Sequence, residues 1–397
     1  MAGWGEGPKR TGPLAGVRVL DLSSVVMGPY ATLILGDLGA DVIRIETAAG
    51  DPMRHAGRAP APGMGPIFMA LNRNKRSVVL DLKSEAGRAA VLELAAGCDV
   101  FFHNIRAEAI ERLGLGYQAI RAGRPNVVYV HCSGYGSDGP YADRQAYDDL
   151  IQAASGFADL LPRTLGDGRP RYAPALVADK TAGLHAAYAT LAALFHRERT
   201  GEGQFVEVPM FESFTGWNLI ENLYGQTYLT PEGEPPLYGA AYTRSINPRR
   251  RPYPTLDGFL GIVPYSDGQW FEFFALGGRP ELAEDPRFKS MAARTENVAD
   301  LYGEVEAVAA TKTTDEWMTI LHAAGIPAMR FQTLDEAIED EHLVASGFMH
   351  AREHPAAGPY RAMRHPVAFA GSPADIAREA PTLGQHTAEV LSPERTE

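Results

Sequence analysis

The sequence predicts a doubly wound, Rossmann-like α/β fold whose parallel sheet forms a large domain interrupted by a smaller α+β domain. Three observations carry that prediction. Apolar runs of strand length alternate with segments of helical period through the first 140 residues, the pattern of crossover units on a parallel sheet. From Gly225 to Pro254 the chain turns rich in Pro, Gly, Tyr and Arg, as a long connection does. A second strand-plus-helix pattern then begins at "GFLGIVPYS" (258–266).

Taken in order, "VRVLDLS" (17–23) reads as a buried strand, and "GPYATLILGDLGA" (28–40) as a helix with Pro in its first turn. "DVIRIE" (41–46) is a strand again, and a Pro/Gly-rich loop from Gly57 to Gly65 leads to "SVVLDL" (77–82), another. "SEAGRAAVLELAAG" (84–97) is a helix ending at Gly97, where a left-handed residue is expected. "DVFFHN" (99–104), a short helix around Ile110 and "NVVYVHCSGYG" (126–136) repeat the pattern. The expected layout is the N-terminal part of the large domain at 1–217, a linker at 218–254, a small domain at 255–335, and a return at 336–397.

Composition narrows the function classes. Of 397 residues, 45% are hydrophobic and 22% charged, as in a soluble globular protein with a sizeable core. The net charge of −12 argues against a nucleic-acid partner, because phosphate backbones need a basic face. No apolar run reaches the ~18 residues that would cross a membrane, and the first residues show no apolar h-region. The two cysteines, Cys98 and Cys132, form no CxxC pair, so the expectation is a reducing cytoplasm with no disulfide framework and no metal.

Several motifs are decoys. "GYGSDG" (134–139) matches GxGxxG letter for letter, but Pro140 and the polar "YADRQ" follow where an amphipathic helix should begin, so no nicotinamide cofactor is expected. The dipeptide Gly-Lys never occurs, which excludes a Walker A loop. His342, His350, His354 and His365 lack metal-ligand spacing and read as surface histidines. Two basic groups remain: Arg73, Lys75 and Arg76 in "LNRNKRS", and Arg106 and Arg112 in "HNIRAEAIERLG". Each reads either as a solvated loop or as local positive charge for a phosphorylated ligand.

One acid stands just ahead of a long apolar helical run, Asp179 in "ALVADKTAGLHAAYATLAALFHRERTGEGQ" (175–204). Local chemistry favours a helix cap, since Asp is a preferred N-cap residue. Ala182 three residues on leaves no capping box to strengthen that reading.

The segments "LAGVRVLDLSSVVMGPYATLILGDLGADVIRIE", "NRNKRSVVLDLKS", "CDVFFHNIRAEAIERLGL", "SGYGSDGPY", the Asp179 stretch through "VPM", "GRPELAEDPRF" and "APTLGQHTAEVL" span nearly the whole chain. Together they resemble the class III CoA-transferase family, which includes formyl-CoA:oxalate and carnitine CoA-transferases and the α-methylacyl-CoA racemases. The resemblance makes Asp179 the catalytic carboxylate. It implies attack on a donor thioester, a mixed anhydride, then an aspartyl-CoA thioester that an acceptor carboxylate resolves by the reverse steps. Such an exchange is nearly isoenergetic and needs no ATP. Racemases of the family carry a His where Tyr147 stands, and a phenol of pKa about 10 is a poor base at neutral pH. A transferase is therefore favoured over a racemase of 2-methylacyl-CoA.

By position, the resemblance implies coenzyme A contacts at Val25, Val26, Met27, Lys75, Asn104, Ile105, Arg112, Tyr147 and Met210. Thr47 stands where some members have a basic residue for the nucleotide phosphates, with Arg44 or Arg76 as candidate replacements. The glycine-rich loop of the formyl-CoA enzyme is absent, and "YSDGQW" (265–270) occupies that region. Arg244, Arg249, Arg250 and Arg251 are candidates for the second carboxylate of a dicarboxylic acceptor, or a solvated basic loop. The partners implied are an acyl-CoA, a small carboxylic acid and a second copy of the chain in an interlocked homodimer.

Overall fold

Six strands of the computed structural model, which describes residues 4, 11–236 and 239–391, pair in one sheet. They are β1 (Arg18–Asp21), β2 (Asp41–Glu46), β3 (Lys75–Val79), β4 (Val100–His103), β5 (Val128–Ser133) and β6 (Phe205–Pro209). Their spatial order is β3-β2-β1-β4-β5-β6, and every neighbouring pair is parallel. Buried on both faces, such strands read as continuous apolar runs, which is why β1, β4 and β5 were legible. The chain's winding reverses between β1 and β4, and ligands bind outside the carboxyl ends of strands at such a switch point.

Helices α1 (Met27–Asp37), α2 (Glu85–Ala96), α3 (Ala107–Arg112), α4 (Asp148–Ala154), α5 (Val177–Thr200) and α6 (Met210–Asn222) follow or flank the strands. Ser84 caps α2 by accepting the Gly87 N–H at 3.0 Å. Gly97 ends α2 with φ −100°, not in the expected left-handed region. A glycine is needed there for a different reason: a Cβ would lie 2.9 Å from Trp4 Nε1.

β3 starts two residues earlier than its apolar run, because Lys75 and Arg76 pair in the ladder with Val42 and Ile43. As the sheet edge, β3 would expose unpaired backbone. Asn74, Ser77 and His386 close it: the Asn74 amide oxygen accepts the Ala377 and Arg378 N–H groups, and His386 donates its N–H to the Ser77 carbonyl at 2.9 Å.

Two compact units divide the chain. One comprises 1–155, 173–217 and 341–397; the other comprises 156–172 and 218–340. Segment 156–172, which the sequence reading places in the large domain, thus belongs to the second unit, as do residues 218–254, read from the sequence as linker. The second unit packs three antiparallel strands (Tyr253–Pro254, Phe259–Ile262 and Ala328–Arg330) against helices over Trp270, Phe273, Phe274 and Trp317. There Arg251 pairs with Glu306 at 2.9 Å, Arg249 donates to the Ala299 carbonyl at 3.2 Å, and Arg244 reaches the Tyr302 hydroxyl at 3.4 Å.

Candidate active site

Asp179 does not cap its helix. The N-cap of α5 is Leu176, which has no side chain to offer, and Asp179 sits in the first turn. The orphan N–H groups of that turn are taken by Asp148, at the start of α4, whose Oδ1 accepts Ala178 N–H at 2.7 Å and Asp179 N–H at 3.0 Å. Asp148 Oδ2 accepts from Gln152 Nε2 at 2.5 Å, and Gln152 Oε1 accepts the Ala173 N–H at 2.8 Å. A carboxylate at a helix N-terminus complements the helix dipole. With its helix capped from elsewhere, the Asp179 carboxylate is left to face a cavity.

The other wall is the N-terminus of α1. The Met27 N–H lies beside the Asp179 carboxylate and favours its charged form. This contact depends on Gly183, one turn after Asp179 on the same face of α5. A Cβ at Gly183 would lie 2.8 Å from the Met27 carbonyl oxygen and 3.0 Å from the Tyr30 ring. Burial raises the Asp179 carboxyl to about 6, the Asp148 charge pushes the same way, and the Met27 N–H opposes both. At neutral pH it is mostly ionised, and more basic than a solvated aspartate.

Between β1 and α1 the chain makes a turn whose N–H groups are held by side chains. Asp21 Oδ1 accepts Ser23 N–H at 2.8 Å, Asn104 Oδ1 accepts Ser24 N–H at 3.0 Å, and Asp51 Oδ2 accepts Val25 N–H at 3.0 Å. Gly28 lets the turn fold this tightly, since a Cβ there would lie 2.3 Å from Ser23 Cβ. Beneath it lie six buried charges, Asp21, Arg44, Glu46, Asp51, Arg54 and Lys75. Burial opposes the charge on Glu46, yet Arg54 and Arg44 hold its carboxyl down at about 2. Burial likewise pushes Lys75 down to about 7 against the pull of Asp21.

A cavity of about 470 Å³ opens along these elements. Of the residues expected to hold coenzyme A, Val25, Met27, Asn104, Tyr147 and Met210 line it together with Asp179. Four others lie outside its lining. Val26 packs against Leu33 and Leu71, and Ile105 packs on the sheet core. Arg112 is exposed at the end of α3. Lys75 is fully buried, its Nζ donating to the Pro29 carbonyl at 2.9 Å and to Asn72 Oδ1 at 3.0 Å. Neither candidate replacement for Thr47 is free: Arg44 is paired with Asp51, and Arg76 with Asp41 and Glu389. The exposed guanidiniums at the cavity are instead Arg106 and Arg144, for which no carboxylate partner occurs among the described residues.

Sequence reasoning missed Asp148, Arg144 and Gly183. Asp148 and Asp149 look like ordinary first-turn acids of a short helix, and nothing local marks the bond to a backbone 31 positions away. The GxGxxG look-alike lines the cavity at Gly134, Tyr135 and Ser137. It offers no phosphate cradle, because Gly136 N–H is taken by Glu212 at 2.9 Å and Ser137 N–H by Glu207 at 3.3 Å.

Comparison with known proteins places the chain in a family. The sequence profile of CoA-transferase family III matches residues 14–387. Formyl-CoA:oxalate CoA-transferase of Streptomyces avermitilis is 34% identical, the match covering 96% of this chain and 95% of that protein. Succinyl-CoA:glutarate CoA-transferase of Mus musculus is 32% identical over 96% of this chain and 86% of its own length. The crystal structure of Rv3272 from Mycobacterium tuberculosis superposes with a TM-score of 0.82 at 31% identity, covering 96% of this chain and 100% of that one. The chain therefore belongs to CoA-transferase family III and is an enzyme that moves CoA between an acyl-CoA thioester and a carboxylic acid.

Proposed function

We propose that Asp179 is the nucleophile and carries CoA as a β-aspartyl thioester between two short dicarboxylic acids. One observation supports this most directly: a single buried carboxylate, held basic by burial and Asp148, sits on the cavity wall beside the N-terminal end of α1. An Asp179 oxygen attacks the donor thioester carbonyl, the C–S bond breaks, and CoA leaves as thiolate from a mixed anhydride. The thiolate then attacks Asp179 Cγ, expelling the donor acid and leaving the aspartyl thioester. The acceptor carboxylate attacks that thioester, and the same steps in reverse complete the exchange. The Met27 N–H is the donor available to the oxyanion that forms on Asp179 Cγ.

Arg106 and Arg144 supply positive charge for the CoA phosphates in place of Lys75 and Arg112. Tyr147, 62% exposed at the cavity, offers a phenol and no imidazole for moving an α-proton. The dicarboxylic substrate class follows the relatives named for succinyl-CoA with glutarate or D-citramalate, and the formyl-CoA relative matches it in its oxalate acceptor alone.

The working unit is a homodimer in a cytosolic setting. Support for the dimer comes from Leu184, Tyr188 and Phe195 on α5, which are 50%, 58% and 64% exposed. A monomer by sedimentation at assay concentration would remove that part.

The central test incubates the enzyme with succinyl-CoA and no acceptor, then measures intact mass. Addition of CoA to wild type and none to Asp179→Asn is the expected result. Transfer activity retained in Asp179→Asn refutes the mechanism, and acceptor-independent deuterium exchange at the acyl α-carbon points to racemisation.

A further inference from the structure

The turn ahead of α1 places a β-branched residue in the left-handed region, Val25 at φ 70°. Such a conformation is a rare outlier for valine. It persists only where the surroundings over-determine it. Here they do. The Asn104 amide grips Ser24 on both sides, accepting its N–H at 3.0 Å and donating to its carbonyl at 2.9 Å. Asp51 Oδ2 takes the Val25 N–H at 3.0 Å, while its other oxygen accepts Met53 N–H at 2.7 Å. Asp51 is 3% exposed and is anchored by the buried guanidinium of Arg44, which also donates to Asn72 at 2.7 Å. Two residues beyond Val25, Met27 meets the Asp179 helix: a Cβ at Gly183 would lie 2.8 Å from the Met27 carbonyl, and the Met27 N–H lies beside the Asp179 carboxylate.

We propose that Asp51 is a positioning residue for Asp179 that acts through the Val25 backbone, holding the strained turn so that the Met27 N–H points at the nucleophile. Arg44 is the second member of this device, fixing the oxygen that Val25 uses. The inference rests on Asp179 being the nucleophile. Without the Asp51 contact, Val25 relaxes to negative φ and carries the Met27 N–H off the carboxylate. Asp179 then keeps its proton to higher pH and loses a donor for the oxyanion on Cγ. A glycine adopts positive φ without help. Dependence on Asp51 should therefore vanish when Val25 is replaced by glycine, which an ordinary charge partner of Arg44 would not show.

The experiment is a double-mutant cycle on the full-length enzyme: Asp51→Asn measured in the wild-type and Val25→Gly backgrounds, with kcat, KM and the pH profile of CoA transfer. In the wild-type background Asp51→Asn should lower kcat about 10-fold or more and move the acid limb to higher pH. In the Val25→Gly background it should cost less than about 3-fold and leave the limb in place. If Asp51→Asn folds only together with Val25→Gly, the strain is shown directly and the proposal stands. Equal losses in both backgrounds, or failure to fold in both, overturn it, since Asp51 would then only balance Arg44. Asp179→Asn run alongside separates the two claims. If that variant still transfers CoA the nucleophile assignment falls, whereas if it is dead and the cycle shows equal losses, only the role of Asp51 falls.

Discussion

Replacing Asp148 by Asn removes one negative charge while keeping an oxygen that can accept the Ala178 and Asp179 N–H groups at 2.7 and 3.0 Å. The Asp179 carboxyl is raised from its ordinary 3.8 to about 6, with burial the larger cause, the Asp148 charge the second, and the Met27 N–H opposing. As the lesser of two raising causes, Asp148 accounts for at most about one pH unit, or ~1.4 kcal/mol. The acid limb of kcat/KM should therefore move down by up to about one pH unit in Asp148→Asn. Normalised to each enzyme's plateau, that is a gain of up to about five-fold at pH 5, where wild-type Asp179 is only about one-tenth ionised. The plateau itself should fall, because the amide caps α5 less well and confronts the Gln152 amide, whose oxygen is already committed to Ala173. The assay is kcat/KM for acyl-CoA from about pH 4.5 to 8 with saturating acceptor acid. An acid limb that stays in place or moves up refutes the electrostatic coupling, whatever happens to the plateau.

Asp179→Asn should abolish transfer and stabilise the protein at neutral pH. With the folded-state carboxyl raised to about 6, its contribution is complete in acid and is lost as pH rises through that value. In urea titrations the variant's advantage over wild type should be near zero at about pH 4 and reach at most ~3 kcal/mol above pH 7. Gly183→Ala puts a Cβ 2.8 Å from the Met27 carbonyl, backbone that cannot rotate aside. It should cost at least about 10-fold in kcat with the fold intact by circular dichroism, and a change under two-fold would show that α5 can shift freely. Arg106→Ala and Arg144→Ala should each raise KM for acyl-CoA about five-fold and weaken its salt dependence. Neither should affect a pantetheine thioester lacking the nucleotide; equal losses with both substrates would remove the arginines from phosphate recognition.

Much of the architecture was legible because it rests on local periodicity. "DVIRIE" forms the strand Asp41–Glu46 as read, and Ser84 opens the helix it announces. The same local logic failed where charge and burial meet. Lys75 and Arg76 look like a solvated loop ahead of a strand, yet both are fully buried within it, because the buried Asp21 pairs with Lys75 and the half-buried Asp41 with Arg76. Gly97 was legible as a helix end, but for the wrong reason, since the indole that excludes a side chain there comes from residue 4.

The sequence by itself determined the alternation of strand and helix and, through its motifs, the family and the acid to suspect, because side-chain period and residue order are properties of neighbours along the chain. Only the tertiary structure decided what makes that acid distinctive. Its helix is capped by Asp148 from 31 positions away, Gly183 brings α5 onto the Met27 end of α1, and Asp51 holds the turn between them from 26 positions beyond Val25. Those contacts set burial, charge and donor direction at one carboxylate, and all three depend on distances that folding alone makes short.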